Sequence, residues 1–285
     1  MALNRIGIIA GGGQFPLLFT EAAKARGVQV AAVGHQGETD PDLEREADCF
    51  CWVKLGQLGR IIKFFKRHEI SRIVFLGTIT KTRIFRDVRP DIKGLSLWNK
   101  IDIKHDDSIL RAIAAALEQE GIEVVESTIY LQELLFPKGI ITRKKPNQEQ
   151  IDDIKFGWRI AREMGRLDIG QCVVVRQRTV LAVEAIEGTD AAIRRGGSLS
   201  GGQAVVVKIK KPGQDFRFDL PAIGTKTINT MREVKAVVLA VEAGQALLFD
   251  RQETVLQAKK AGIVMVGISG SPDNPDDLDN LSFTV

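Results

Sequence analysis

Apolar positions in the first part of the chain recur in two alternating patterns. Arg5 to Ala10 is a short apolar run; it leads through a glycine turn into a stretch of helical spacing, Phe15 to Arg26, and a second apolar run follows from Val28 to Gly34. Short apolar runs on either side of a helix-period segment predict a βαβ unit. Between Gly59 and Glu69, Ile61, Ile62 and Phe65 fall at helical spacing with Lys63, Lys66 and Arg67 among them, and Arg72 to Gly77 is strand-like again. Ile109, Ile113 and Leu117 recur at four-residue intervals after Asp106, and Ile122 to Glu126 completes the alternation.

A parallel sheet covered by helices is the economical solution, so residues 1–134 are expected to form a Rossmann-like domain. The pattern then breaks into Phe136-Pro137-Lys138-Gly139 and Arg143-Lys144-Lys145-Pro146-Asn147, a proline-marked charged stretch that reads as a linker over 135–150. Beyond it comes one helix, Glu149 to Met164. Closely spaced strands follow at Gln171 to Gln177, Thr179 to Ala185 and Ala204 to Lys210, with βαβ-like pieces ending at Val264 to Ile268. Residues 151–270 are therefore expected to be a second α/β domain, with a mixed sheet. The last fifteen residues, 271–285, hold four aspartates and no Lys or Arg, and read as an acidic flexible tail.

Composition narrows the class. The 285 residues are 44% hydrophobic and 27% charged, which excludes a disordered chain. No apolar run reaches the ~18 residues of a spanning helix. Three cysteines without CxxC spacing give no disulfide framework, and no secretory leader precedes the first strand, so the expected compartment is the cytoplasm. Net charge is +4, and the acidic tail makes the rest of the chain more basic than that, which suits an anionic ligand. With one Tyr, no zinc-finger spacing and no long basic helix, no nucleic-acid partner is expected.

Three segments could carry chemistry. Gly11-Gly12-Gly13-Gln14-Phe15-Pro16 sits where a strand meets a helix, and backbone N–H groups there can hold a phosphate. It lacks the third glycine of a dinucleotide fingerprint, an acid at the end of the second strand, which closes on Gly34-His35, and the Lys-Ser/Thr of a P-loop, so a plain glycine turn remains the alternative. Lys208 to Pro221 is the second. In an extended chain Asp215, Arg217 and Asp219 share one face while Phe216, Phe218 and Leu220 share the other. Carboxylates and cations held by a buried apolar face suit phosphoryl chemistry on a Mg²⁺-bound anion; the alternative is an amphipathic strand with a solvated charged face. Third, Glu184 and Glu187 close a strand, and Gly188-Thr189-Asp190 opens a helix for which Thr189 or Asp190 is the expected N-cap. Widely spaced His35, His68 and His105 argue against zinc, and no Gly-x-Ser-x-Gly elbow points to a hydrolase triad. The Ile61, Phe64, Phe65 helix could rest on a membrane surface, but an ordinary sheet-covering helix is the expectation.

Together the glycine segment, Gly170-Gln171 through Val183-Glu184-Ala185-Ile186-Glu187-Gly188-Thr189-Asp190, and Lys211-Pro212-x-Gln214-Asp215-x-Arg217-x-Asp219-Leu220-Pro221-x-Ile223-Gly224 resemble the LpxI-type UDP-2,3-diacylglucosamine pyrophosphatases. The resemblance runs in order from Arg5 to Gly270, including Glu242-Ala243-Gly244 and Asp250-Arg251. It implies a Mg²⁺-dependent hydrolase of lipid A biosynthesis that splits UDP-2,3-diacylglucosamine into UMP and 2,3-diacylglucosamine 1-phosphate. Asp219 matches the family's essential acid and would bind Mg²⁺ or orient the attacking water, with Glu184 as the other candidate metal ligand. Lys208, Lys211 and Arg217 would neutralise pyrophosphate charge beside Asp215. Gly11, Gly12, Gly13, Gln14, Glu187 and Thr189, together with Lys211, are the candidate substrate contacts. Peripheral contact with the cytoplasmic face of the inner membrane and a homo-oligomer are compatible with this reading. Two positions depart from the family pattern: Thr78-Ile79-Thr80-Lys81-Thr82-Arg83 replaces a short basic segment, and His105 replaces a glycine before Asp106-Asp107. A non-catalytic UDP-lipid binding protein and an enzyme acting on another UDP-sugar are the alternatives.

Overall fold

The computed structural model describes residues 4–79, 89–98, 108–218 and 220–269. Several residues singled out in the sequence lie outside them: Asp219, Lys81, Arg83, His105, Asp106, Asp107 and the acidic tail. The chain divides into two compact units, Met1–Gln132 with Asp215–Asp219, and Glu133–Gln214 with Leu220–Val285.

The N-terminal unit is built on β1 (Arg5–Ala10), α1 (Phe15–Ala25), β2 (Gln29–His35), α2 (Asp42–Glu46), β3 (Cys49–Val53), α3 (Leu58–Arg67), β4 (Arg72–Leu76), α4 (Ile92–Trp98), α5 (Ser108–Gln119) and β5 (Glu123–Val124). Its five strands are all parallel, in the order β3-β2-β1-β4-β5. That is a doubly wound order, in which the crevice beyond the strands' carboxyl ends receives ligands. Strands covered on both faces read as unbroken apolar runs; β1 buries five of its six residues and β2 six of seven. The strand at β3, Cys-Phe-Cys-Trp-Val, is an apolar run like the others, and the sequence reading passed over it. On α3, Ile61, Ile62 and Phe65 are buried against the sheet, so this helix covers the core as expected.

The C-terminal unit contains β6 (Gly139–Ile140), α6 (Gln148–Arg166), β7 (Cys172–Arg176), β8 (Thr179–Val183), α7 (Thr189–Ser200), β9 (Val205–Lys208), β10 (Ala222–Ile223), α8 (Thr225–Glu233), β11 (Val238–Glu242), β12 (Leu247–Leu248), α9 (Arg251–Ala261) and β13 (Val264–Ile268). Six strands form a mixed sheet in the order β6-β13-β11-β9-β7-β8. Strands β9, β11 and β13 run parallel, while β6, β7 and β8 pair antiparallel. The stretch read as a linker thus contributes a strand, and its Asn147 caps α6: the side chain accepts from Gln150 N at 2.9 Å while Gln150 Oε1 accepts from Asn147 N at 2.9 Å. One face of the sheet packs on α7, α8 and α9 through Ile193, Ile228, Met231 and Ala258. The other packs on α6 through Ile154, Trp158, Ala161 and Met164.

The β7–β8 turn places Gln177 and Arg178 at φ 49° and 55°. A two-residue hairpin of this hand normally asks for Asn-Gly. Here buried Asp153 on α6 accepts from both turn amides, at 3.0 Å from Gln177 N and 2.6 Å from Arg178 N, which stabilises a backbone the turn residues themselves disfavour. Among the described residues no helix is long and apolar enough to cross a membrane.

Candidate functional site

The glycine turn follows β1 at its carboxyl end. Gly11 N donates to Leu76 O at 2.8 Å and Gly12 N to Thr78 O at 2.7 Å, tying the turn to the end of β4. A Cβ on Gly11 would fall 2.4 Å from the Thr78 carbonyl oxygen, and one on Gly12 3.0 Å from that of Glu38. Close backbone approach therefore accounts for these two glycines. Gly13 differs, with φ 90° and nothing within 4 Å of where its Cβ would be. The carbonyl of Ala10 accepts from His35 Nδ1 at 2.9 Å and from Thr39 Oγ1 at 2.7 Å, while Thr39 Oγ1 accepts from His35 N at 2.8 Å. This network pins the loop after β2 beside the glycine turn. An open cleft of about 630 Å³ lies there, lined by Gly13, Gln14, Leu17, the 37–41 loop and Trp52.

Since a carbonyl only accepts, His35 Nδ1 carries the proton. Burial holds this imidazole below its ordinary value of 6.5, against the opposing pull of Ala10 and Glu38. The unfolded chain takes up the proton near pH 6.5 and the folded chain only lower, so this contribution to stability is present above about pH 6.5 and is lost as pH falls below it. Wild type should lose up to about 1.4 kcal/mol per pH unit across that window, and His35→Gln should flatten the loss. Denaturant titrations of both proteins at pH 7.5 and 5.5 measure this; equal slopes would remove His35 from the account.

The segment 215–218 is not the extended strand expected. It is a turn in which Phe218 N donates to Asp215 O at 3.1 Å and Arg217 N to Asp215 Oδ1 at 3.0 Å. Arg217 does not share an open charged face with Asp215; it folds back on it, with Nη2 at 2.8 Å from Oδ2, and reaches Glu118 at 2.9 Å. The Arg217 guanidinium holds the Asp215 carboxyl below the usual carboxylate range, and Asp215 in turn raises Arg217. Phe218 enters the core of the N-terminal unit, 5.6 Å from Phe75 in an edge-to-face arrangement. Burying such a ring is worth roughly 1.5–3 kcal/mol, enough to seat this short segment. Asp219, the next residue, is outside the described residues.

In the C-terminal unit, Glu184, Cys172 and Lys208 come together. Cys172 pairs with Lys208 across β7 and β9, and Glu184 N donates to Cys172 O at 2.8 Å, so the three occupy neighbouring positions of one row. Both charged side chains are buried, which sets aside the solvated-face alternative for Lys208. Lys208 Nζ donates to Ala222 O at 3.0 Å. Glu184 Oε1 accepts from Thr189 Oγ1 at 2.8 Å, and its Oε2 is buried without a hydrogen-bond partner. Burial and then Glu184 push the Cys172 thiol far up, which makes it inert as a nucleophile. Neither Thr189 nor Asp190 caps α7. The N-cap is Gly188, at φ 84° and without a side-chain bond, because Thr189 is spent on Glu184 and Asp190 pairs with Lys226 at 2.9 Å. Glu187 is taken up locally: its own backbone N–H and then Arg195, at 2.6 Å, hold its carboxyl low.

The start of the Lys208–Pro221 run is clamped separately. Lys211 Nζ donates to Asp168 at 2.6 Å, and Lys211 N to Gln214 Oε1 at 3.1 Å. Lys210 N donates to Glu242 Oε2 at 2.9 Å, and Glu242 Oε1 takes Arg162 Nη2 at 2.5 Å in a buried ion pair. Residue-by-residue reading gave Arg162, Asp168 and Glu242 no role. A signal was present for the first: Ile154, Trp158 and Arg162 are four apart on the apolar stripe of α6, where an unpaired cation would be costly.

Residues 5–134 match the LpxI N-terminal domain family and residues 137–266 the LpxI C-terminal domain family. A protein of Caulobacter vibrioides, UDP-2,3-diacylglucosamine pyrophosphatase LpxI, is 33% identical over 277 residues, covering 93% of this chain and 98% of its own. Likeness to solved structures is slight. Gox2253 aligns over 98% of this chain and 88% of its own at 10% identity and a TM-score of 0.30. N5-carboxyaminoimidazole synthetase from Staphylococcus aureus, complexed with ADP, aligns over 61% and 38% at 15% identity and a TM-score of 0.25. Both domain families follow one another in order along nearly the whole sequence, and the chain belongs to the LpxI family.

Proposed function

We propose that the protein hydrolyses the pyrophosphate bond of UDP-2,3-diacylglucosamine in the cytoplasm, with Mg²⁺, releasing UMP and 2,3-diacylglucosamine 1-phosphate. The observation that carries this reading is similarity through both domains to an enzyme of that name, over 98% of its length. The acyl chains of such a substrate would bring the protein peripherally to the inner membrane.

Carboxylate oxygens are the donors that a hard cation takes. Glu184 Oε2, buried and without a hydrogen-bond partner, fits one. Among the described residues no three His, Cys, Asp or Glu side chains gather as a metal site. An ion of this kind can be held by one or two carboxylates, waters and substrate phosphates. Bound Mg²⁺ would offset charge on the pyrophosphate. Lys208 spends one of its three N–H donors on Ala222 and directs a buried positive charge at the same row, where an anionic oxygen would be stabilised. The assignment of Asp219 as ligand or water-orienting base rests on the Asp-Leu-Pro-x-Ile-Gly motif.

Release of UMP from UDP-2,3-diacylglucosamine, followed by mass spectrometry, tests the reading. Removing Mg²⁺ with EDTA should lower the rate by about 100-fold or more, since metal stabilisation of transition-state charge amounts to several kcal/mol and each 1.36 kcal/mol is tenfold. Re-adding Mg²⁺ should restore it. No UMP from folded protein would overturn the substrate; equal rates in EDTA would overturn the metal.

A further inference from the structure

Each of the four residues that lead into Asp219 is tied to the N-terminal unit, and the ties differ in kind. Phe218 is seated beside Phe75 in its core, and Phe216 O accepts from the buried Ser127 Oγ at 3.3 Å. Asp215 and Arg217 both meet one helix. Arg111 and Glu118 lie about two turns apart on α5 and so share a face of it. Arg111 Nη1 stands 3.9 Å from Asp215 Oδ2, and Glu118 Oε1 accepts from Arg217 Nη1 at 2.9 Å. Arg217 Nε and Nη2 both donate to the Asp215 carboxylate, at 3.1 Å from Oδ1 and 2.8 Å from Oδ2, so Arg111, Asp215, Arg217 and Glu118 form a row of alternating sign.

Stability does not account for this row. Arg111 and Glu118 are 49% and 44% exposed, and ion pairs made by such groups add little to folding free energy. Burial of Phe218 already holds the segment. What one buried ring leaves open is rotation of the chain that leaves it. A planar guanidinium bonded to two carboxylates at fixed angles removes that freedom, which an ammonium on a flexible stem would not. Its Cζ also lies 5.0 Å from the centroid of the Phe218 ring, so the guanidinium and the buried side chain move as one. We infer that Arg217 is a positioning residue: clamped between Asp215 and Glu118, it fixes the backbone that leads into Asp219, and its charge is satisfied there rather than on the pyrophosphate. The inference rests on the role of Asp219 in the reaction proposed above. Displacement of a reacting group by about 1 Å can cost roughly 100-fold in rate, so such a clamp should act on kcat and leave KM alone.

UMP release from UDP-2,3-diacylglucosamine by the full-length protein with Mg²⁺ tests this in Glu118→Ala, Glu118→Gln, Arg217→Lys and the double variant of Glu118→Ala with Arg217→Lys. Glu118→Ala should lower kcat by about tenfold with KM within about twofold of wild type, and Glu118→Gln, whose amide oxygen still accepts from Arg217 Nη1, should recover most of that loss. Arg217→Lys cannot hold both carboxylates at once and should lower kcat by about 10–100-fold, again with KM unmoved. Because both substitutions act through one clamp, the double variant should be slower than Arg217→Lys by no more than about twofold. Tm should stay close to wild type throughout. A wild-type kcat in Glu118→Ala, or losses that multiply in the double variant, would overturn the inference and leave the reaction intact. So would a raised KM in Arg217→Lys, the mark of a cation that meets the substrate. A fall in Tm that accompanies the fall in kcat, unrelieved in Glu118→Gln, would make the row structural and overturn the inference as well. No UMP from folded wild-type protein would overturn the reaction, and the positioning role with it.

Discussion

Asp219→Asn should lower kcat for UMP release by roughly 10²–10⁴-fold, the range expected for loss of a group that handles a proton or its water in the transition state. The chain on either side holds itself in place without that carboxylate. Phe218 is seated in the core of the N-terminal unit, while Pro221 O accepts from Leu247 N at 2.7 Å and Ile223 is fully buried in the C-terminal unit. Circular dichroism and Tm should therefore match wild type, and UMP should bind as before. An intact kcat with a raised KM would make Asp219 a binding group only. A lowered Tm would make its role structural.

The two layers of the fold were legible because their periodicities are unmixed. Central strands such as β1 and β9 carry unbroken apolar runs, and α3 and α6 carry apolar stripes. What the pattern concealed were segments too short for a period or defined by partners distant in sequence. Strand β6 has two residues and exists through its pairing with β13, more than a hundred positions away. The 215–218 turn was misread for a related reason. Alternation of Phe and charge is what a half-buried strand shows, but here the period comes from Phe218 entering a core while Arg217 bonds to a carboxylate two residues before it.

At the candidate site the residue types were readable and their states were not. Lys208 fell on a charged face with a solvated alternative and Glu184 was a candidate metal ligand; the register that sets them in one row with Cys172 buries both. Thr189 looked like an N-cap, and only the position of Glu184 shows why its hydroxyl is used elsewhere. The three glycines looked equivalent, yet two answer to the carbonyls of Thr78 and Glu38, which no local reading could bring to them. Such assignments depend on contacts between strands and loops that the linear sequence leaves unspecified.

Glu242→Ala should be the most destabilising single substitution among the polar residues named here. Glu242 and Arg162 are each 7% exposed, and the carboxylate is the partner for both the Arg162 guanidinium and the Lys210 amide. Breaking a buried pair by removing one member costs about 3–5 kcal/mol, because the remaining charge stays buried without compensation. Arg162 Nε already lacks a partner, and the Trp158 ring 5.3 Å from Cζ replaces little of what the carboxylate supplies. The expected fall in Tm is roughly 10 °C by the usual scaling for a chain of this size. Glu242→Gln separates the two duties. Its amide oxygen can still accept from Lys210 N, so the turn at 210–214 keeps its anchor, while the charge opposite Arg162 is gone. Part of the loss in Tm should remain and kcat should be nearer wild type than in Glu242→Ala. Thermal unfolding followed alongside UMP release distinguishes the cases. Equal Tm and kcat for the two variants would mean that the Lys210 hydrogen bond contributes nothing separable from the ion pair, and a wild-type Tm in Glu242→Ala would mean the pair is not buried as described.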